Sequence, residues 1–209
     1  LDDIEAHARR QPEAIAIEQI GHRSLTYQQL LVDVRTLAGH LAALGVRSEE
    51  RVALLLPRSP RAIIAQLAVL YVGAAYVPLD PQGPTERTRS VLEDAAPRLV
   101  LSLKDYAERV HALPHLYLDE LEAAPAVIAE RPQPVPGNAS AYVIYTSGST
   151  GKPNGVLISR GALDHFVAAA RERYEFSEKD RVLQFAPLAF DASVEEIMVT
   201  LGSGGTLVL

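Results

Sequence analysis

No cysteine occurs in the 209 residues, so a disulfide framework and a thiolate metal site are both excluded. Histidine is scarce, six in all, and the residues lie without ligand spacing, which argues against a structural metal. Long apolar runs are missing too. None approaches the roughly 18 residues needed to cross a bilayer, so no membrane partner is expected. The chain begins Leu1-Asp2 with no basic stretch leading into an apolar one; no secretory leader is visible, and the expected compartment is the cytoplasm. Positive charge is in deficit, 20 Lys and Arg against 26 Asp and Glu, for a net charge of -6. With no basic cluster to offset it, a nucleic-acid surface is disfavoured and a small-molecule partner is expected. Asn138-Ala139-Ser140 fits the N-glycosylation pattern, but such tripeptides arise by chance and matter only in secreted chains.

What is present suffices to fold. Hydrophobic residues make up 48% and charged residues 22% of the chain, and a chain of this length hides roughly 70% of the surface it would expose unfolded. Short apolar segments alternate with amphipathic stretches of helical period, the pattern of an α/β protein with layered, largely parallel sheets and flanking helices. Thr26 and Gln29 form a capping-box pair ahead of Leu30, Val34, Leu37, Leu41 and Leu44, and Gly45 stands where a left-handed cap belongs. A strand over 51–56, a helix from Pro60 carrying Ile63, Ile64, Leu67 and Tyr71, and a strand over 74–79 follow. A helix over 85–95 and a strand over 98–102 continue the alternation. Tyr71, Tyr76 and Pro78 read as packing residues and Asp80-Pro81 as a turn. Residues 125–138, rich in proline, mark a connection between a first part (1–124) and a second (139–209). Beyond it, strands are expected over 141–145, 156–159, 182–186 and from Thr206. One helix carries Leu163, Phe166, Val167, Ala170 and Tyr174 on a face; another is capped by Ser193 with Glu196. A strand running into the last residue, and a first residue other than methionine, suggest a piece of a longer chain.

Between two of these strands lies Thr146-Ser147-Gly148-Ser149-Thr150-Gly151-Lys152-Pro153-Asn154-Gly155. Its glycines let the backbone approach a ligand, while hydroxyls, amides and one ammonium supply donors to an anion. Polyphosphate is the natural guest, because a loop after a buried strand sits at the carboxyl end of the sheet, where open α/β folds bind ligands. A plain Gly/Ser linker would need neither the lysine nor the flanking strands. The P-loop spacing fails, since Thr146 stands five before Gly151 and Pro153 follows Lys152. The nucleophile elbow fails because Ser147 occupies its first glycine position.

Residues 142–159, YVIYTSGSTGKPNGVLIS, resemble the signature of adenylate-forming enzymes, and most of all that of the amino-acid adenylation domains of nonribosomal peptide synthetases. Residues 25–30 (LTYQQL), 70–81 (LYVGAAYVPLDP) and 190–193 (FDAS) are similar to further motifs of that family, in the family's order. The resemblance implies the N-terminal part of that fold and an activity: activation of an amino acid as aminoacyl-AMP with release of pyrophosphate, before transfer to a carrier-protein thiol. By that resemblance Thr146, Ser147, Gly148, Ser149, Thr150, Gly151, Lys152 and Gly155 hold ATP. Lys152 and Thr146 are implied in catalysis, and Thr150 beside a Mg2+ ion shared with the phosphates. Asn154 and Arg160 depart from the pattern, where lysine and histidine are usual; Asn154 leaves the loop one cation short.

Phe190 and Asp191 are implied in substrate binding, Asp191 as partner of the substrate α-ammonium. A carboxylate completing a helix N-terminus is the other reading of Asp191, and Phe190 is equally a core residue. Glu195, four residues on, either faces the same pocket and favours a cationic side chain such as lysine or ornithine, or is a solvated surface glutamate. The implied partners are the amino acid, a carrier-protein domain and the missing C-terminal part of the domain, which carries the remaining nucleotide contacts; the piece alone is expected to be inactive. The alternatives are a non-catalytic remnant of the fold, an acyl- or aryl-acid CoA ligase, and a kinase.

Overall fold

The computed structural model of the chain describes residues 1–21, 24–121, 135–147 and 153–209. A first helix, α1 (Asp2–Arg10), leads into β1 (Ile15–Glu18) and the short β2 (Leu25–Thr26). Thr26 then caps α2 (Tyr27–Ala43) through a complete capping box: its hydroxyl accepts from Gln29 N at 3.2 Å and its amide donates to Gln29 Oε1 at 3.1 Å. Gly45 stops the helix at φ +78°, a conformation that costs glycine little. After β3 (Arg51–Leu55), Ser59 caps α3 (Pro60–Tyr71), whose proline sits where no helical amide is needed. There follow β4 (Ala75–Leu79), α4 (Thr85–Ala95), β5 (Leu99–Ser102), the single turn α5 (Ala107–Val110) and β6 (His115–Tyr117). Asp80 makes the expected turn, its carboxylate accepting from Gln82 N at 2.9 Å.

The second part opens with the hairpin β7 (Ser140–Ser147) and β8 (Pro153–Ser159), then α6 (Arg160–Tyr174) and β9 (Arg181–Leu183). The helix α7 (Asp191–Val194) runs through a π-helical turn (Glu195–Val199) into α8 (Thr200–Gly202), and β10 (Thr206–Val208) follows.

Two sheets result. The larger has six strands in the order β6-β5-β3-β4-β7-β8, all parallel except β8; the smaller has four, β2-β1-β10-β9, in which β1, β10 and β9 run parallel. Side chains of the larger sheet alternate with the two-residue period of a pleated strand. Val52, Leu54, Tyr76, Leu99, Leu101 and Ile144 join the core shared with α2 and α3, while Ala53, Leu55, Val77, Val100 and Val143 join a second core beneath α4. Both sheets draw strands from either side of residues 125–138: β7 lies beside β4 with Tyr142 opposite Tyr76, and β10 lies beside β1.

Three local readings need correction. The strand expected over 182–186 ends at Leu183, because main-chain groups of the next residues are taken by side chains from other elements, as described below. The helix after it begins at Asp191, two residues before Ser193, and the Ser193–Glu196 capping pair does not form; both side chains have tertiary partners instead. On α6, Leu163 and Ala170 are buried but Phe166 and Tyr174 are 41% and 59% exposed, since no described element covers these two side chains.

Candidate functional site

β7 begins inside the core and ends outside it. Ser140 to Ile144 are buried, Tyr145 is half-buried, and Thr146 and Ser147 are exposed at the carboxyl end of the strand. The hairpin register sets Thr146 opposite Asn154 and Ser147 opposite Pro153, with the Thr146 hydroxyl donating to Asn154 O at 3.5 Å. Gly148, Ser149, Thr150, Gly151 and Lys152 lie outside the described residues. Gly155 lies opposite Tyr145, and a Cβ there would stand 2.9 Å from Tyr145 Cζ and 3.0 Å from Val143 Cγ1. Glycine is thus needed at this position for the space the ring occupies. The ring is anchored, its hydroxyl donating to Asp94 Oδ2 at 2.6 Å. Burial, and then the Asp94 carboxylate, push that hydroxyl's pKa up. One cation escaped the reading of the sequence: the exposed Arg87 on α4 donates to Tyr145 O at 3.1 Å, next to the start of the hydroxyl-rich loop. Only the sheet order, which sets β4 and its following helix against β7, brings Arg87 there.

The segment from Gln184 to Phe190 carries the second group of expected residues. It leaves the small sheet after Gln184 N donates to Val208 O at 2.8 Å. Phe190, 60% exposed, is not a core residue and precedes α7. Asp191 is exposed at the first position of α7, its Oδ1 accepting from Ala192 N at 2.9 Å. Burial raises the pKa of the Tyr142 hydroxyl and the Asp191 carboxylate adds to the rise, so Asp191 lies electrically close to the strand that carries the loop. Glu195 is half-buried and, among the described residues, makes no ion pair. Leu183 and Phe185, 56% and 73% exposed, extend the apolar surface of Phe190 along this rim.

A family model described as "AMP-binding enzyme" matches residues 4–209. The chain belongs to the AMP-binding enzyme family. It is 45% identical to the isonitrile lipopeptide synthase of Streptomyces coeruleorubidus over 99% of its own length and 14% of that protein's. It is 37% identical to the dimodular nonribosomal peptide synthase of Bacillus subtilis (strain 168) over 100% of its length and 9% of that protein's. Among solved structures, VinN in complex with 3-methylaspartate superposes with a TM-score of 0.91 at 27% identity, covering 100% of this chain and 60% of VinN. The fold is therefore an α/β arrangement of mostly parallel sheets with flanking helices, as expected, and the chain spans a minor share of its synthase relatives.

In this chain the end of β4, the start of α4, the end of β7 and the approach to Asp191 meet around a cavity of about 40 Å³ lined by Leu79, Asp80, Arg87, Tyr145 and Ala189 among others. A larger cavity, about 360 Å³, opens between α1, α3 and α6 and is lined by none of the expected site residues. The smaller cleft is where carboxyl ends of parallel strands converge, and that position outweighs size. Among the described residues no group of three or more His, Asp or Glu side chains is placed to hold a metal ion. No described helix is long and apolar enough to cross a membrane.

Proposed function

We propose that the chain is the N-terminal part of an amino-acid adenylation domain, with 1–124 and 139–209 as two stretches of one adenylation core joined by the proline-rich connection. The observation that carries this reading is the end of β7. A strand buried from Ser140 to Ile144 delivers exposed Thr146 and Ser147 hydroxyls to the carboxyl edge of five parallel strands, across a narrow cleft from the segment that leads to Asp191.

In the proposed reaction the amino-acid carboxylate attacks the α-phosphorus of ATP, an oxygen–phosphorus bond forms to give aminoacyl-AMP, and pyrophosphate leaves. The barrier is one of charge, so positioned donors and cations are the main requirement. Thr146, Ser147, Ser149 and Thr150 supply hydroxyls, Gly148 and Gly151 supply amides, and Lys152 supplies the cation. Gly155 keeps the base of the hairpin closed on Tyr145. Lys152 and Thr146 act on the phosphates in the transition state. ATP fits this donor set, and so does Mg2+, a hard ion that takes oxygen ligands and is held largely through phosphates; Thr150 would help hold it.

Asp191 pairs with the substrate α-ammonium, and Phe190 lies against the substrate. Asp191 is exposed and accepts only one hydrogen bond among the described residues, from its neighbour's amide at Oδ1, which leaves Oδ2 for an ammonium. VinN, whose complex holds 3-methylaspartate, supports an amino-acid substrate. Glu195, half-buried and without an ion pair among the described residues, favours a substrate with a cationic side chain such as lysine or ornithine. A carrier-protein domain would take the aminoacyl group, in the cytoplasm.

The test is amino-acid-dependent exchange of labelled pyrophosphate into ATP by the full-length protein that contains this sequence. Exchange with one amino acid, strongest for a cationic one, is expected. No exchange with any amino acid or aryl acid would reject the reading.

A further inference from the structure

The stretch that delivers Asp191 has little backbone support of its own. After Gln184 N bonds to Val208 O, no further ladder bond follows among the described residues before the turn in which Phe190 N donates to Pro187 O at 2.9 Å. Side chains hold it instead. Arg58, from the connection before α3, donates to Phe185 O at 2.6 Å. The Ser193 hydroxyl donates to Phe190 O at 2.6 Å and lies 3.3 Å from Leu188 O. The densest attachment comes from Glu196, whose two carboxylate oxygens accept from Ala186 N at 3.2 and 3.1 Å while Oε2 also accepts from Gln184 Nε2 at 3.0 Å. The Gln184 side chain is fully buried and its amide donates to Ala186 O as well.

Glu196 stands in the π-helical turn Glu195–Val199, directly after the short α7 that Asp191 begins. Such wide turns recur at functional sites, where they re-aim side chains. Here one carboxylate joins the helix bearing Asp191 to the loop that approaches it, through hydrogen bonds to a charged acceptor, which are stronger than neutral ones.

We infer that Glu196 is a positioning residue for substrate binding: it holds segment 184–190 against the helix and so fixes where Asp191 and Phe190 meet the amino acid, without touching amino acid or nucleotide itself. This rests on the proposed role of Asp191.

The test is steady-state pyrophosphate exchange by the full-length protein and its variants, with KM measured separately for amino acid and ATP. Glu196→Ala is expected to raise KM for the amino acid about tenfold or more, since small misplacements of binding groups carry large kinetic penalties, and to leave KM for ATP within about twofold. Glu196→Gln keeps an oxygen for the Ala186 amide and should stay within about threefold of wild type. Gln184→Leu removes one partner and preserves bulk, so it should move the amino-acid KM in the same direction by less, and it provides the answer should Glu196→Ala not fold. A merely structural role would lower the active fraction and leave both KM values alone. Unchanged KM values in Glu196→Ala or Gln184→Leu, or KM values for both substrates rising together, overturn the positioning role alone. Wild-type protein that exchanges with no acid overturns the functional reading and this role with it.

Discussion

At the scale of single residues, the same four-residue pattern has two outcomes. Thr26 and Gln29 complete a capping box, and among the described residues no tertiary partner takes either side chain; Thr26→Ala should lower stability by about 1 kcal/mol in urea denaturation. Ser193 and Glu196 match the pattern equally well, yet buried amides from the preceding loop take the glutamate. Local sequence cannot report that competition. Gly155 was legible as part of a motif, but the reason for it, the Tyr145 ring 2.9 Å from a would-be Cβ, depends on the hairpin register. Gly155→Ala should therefore cost about 1–3 kcal/mol of stability by overpacking, and the replacement Tyr145→Leu in the same background should recover part of it. Phe190 and Asp191 were named from their motif, and their roles rest on the proposed function. Arg87 was not, because only the placement of β4 beside β7 brings it to Tyr145.

At the scale of elements, the strands expected over 51–56, 74–79 and 98–102 and the helix α4 over Thr85–Ala95 were readable to within a residue, whereas the hairpin strands expected over 141–145 and 156–159 run longer, over Ser140–Ser147 and Pro153–Ser159. Short pieces such as β1 and β6 offer four and three residues, too few for a period to declare itself. A histidine helps to dock the helix α1: His7 Nε2 lies 3.2 Å from Gly202 O, and Nδ1 lies 2.8 Å from Arg10 Nη2. Burial, then the Arg10 and Arg171 charges, lower the His7 pKa, with the Gly202 carbonyl and Asp3 acting in the opposite direction. A histidine whose folded pKa lies below its unfolded value near 6.5 contributes stability that is complete above that value and is lost as pH falls through the folded pKa. Urea denaturation at pH 7.5 and pH 5 should show a loss at the lower pH that is smaller in His7→Gln.

At the scale of the whole molecule, the sheet architecture carries the account. Parallel strands gather their carboxyl ends at one edge, and the chain sends there both the hydroxyl-rich hairpin and the segment ending in Asp191. The alternation of strands and helices predicted this class of fold, but not which strands share a sheet, since β1 and β10 pair across nearly the full length of the chain. The chain covers 60% of VinN, and an apolar rim of Leu183, Phe185 and Phe190 faces outward. We accordingly expect these 209 residues alone to show no pyrophosphate exchange, under conditions where the full-length protein exchanges readily.

The central claim, that the loop after β7 grips the triphosphate of ATP, is tested most directly by replacing Lys152 and Thr146 together with alanine in the full-length protein and measuring pyrophosphate exchange at saturating amino acid. Loss of a positioned cation and hydroxyl should reduce exchange by about 10²-fold or more, with the melting temperature unchanged. Exchange at the wild-type rate in the double variant would contradict the account.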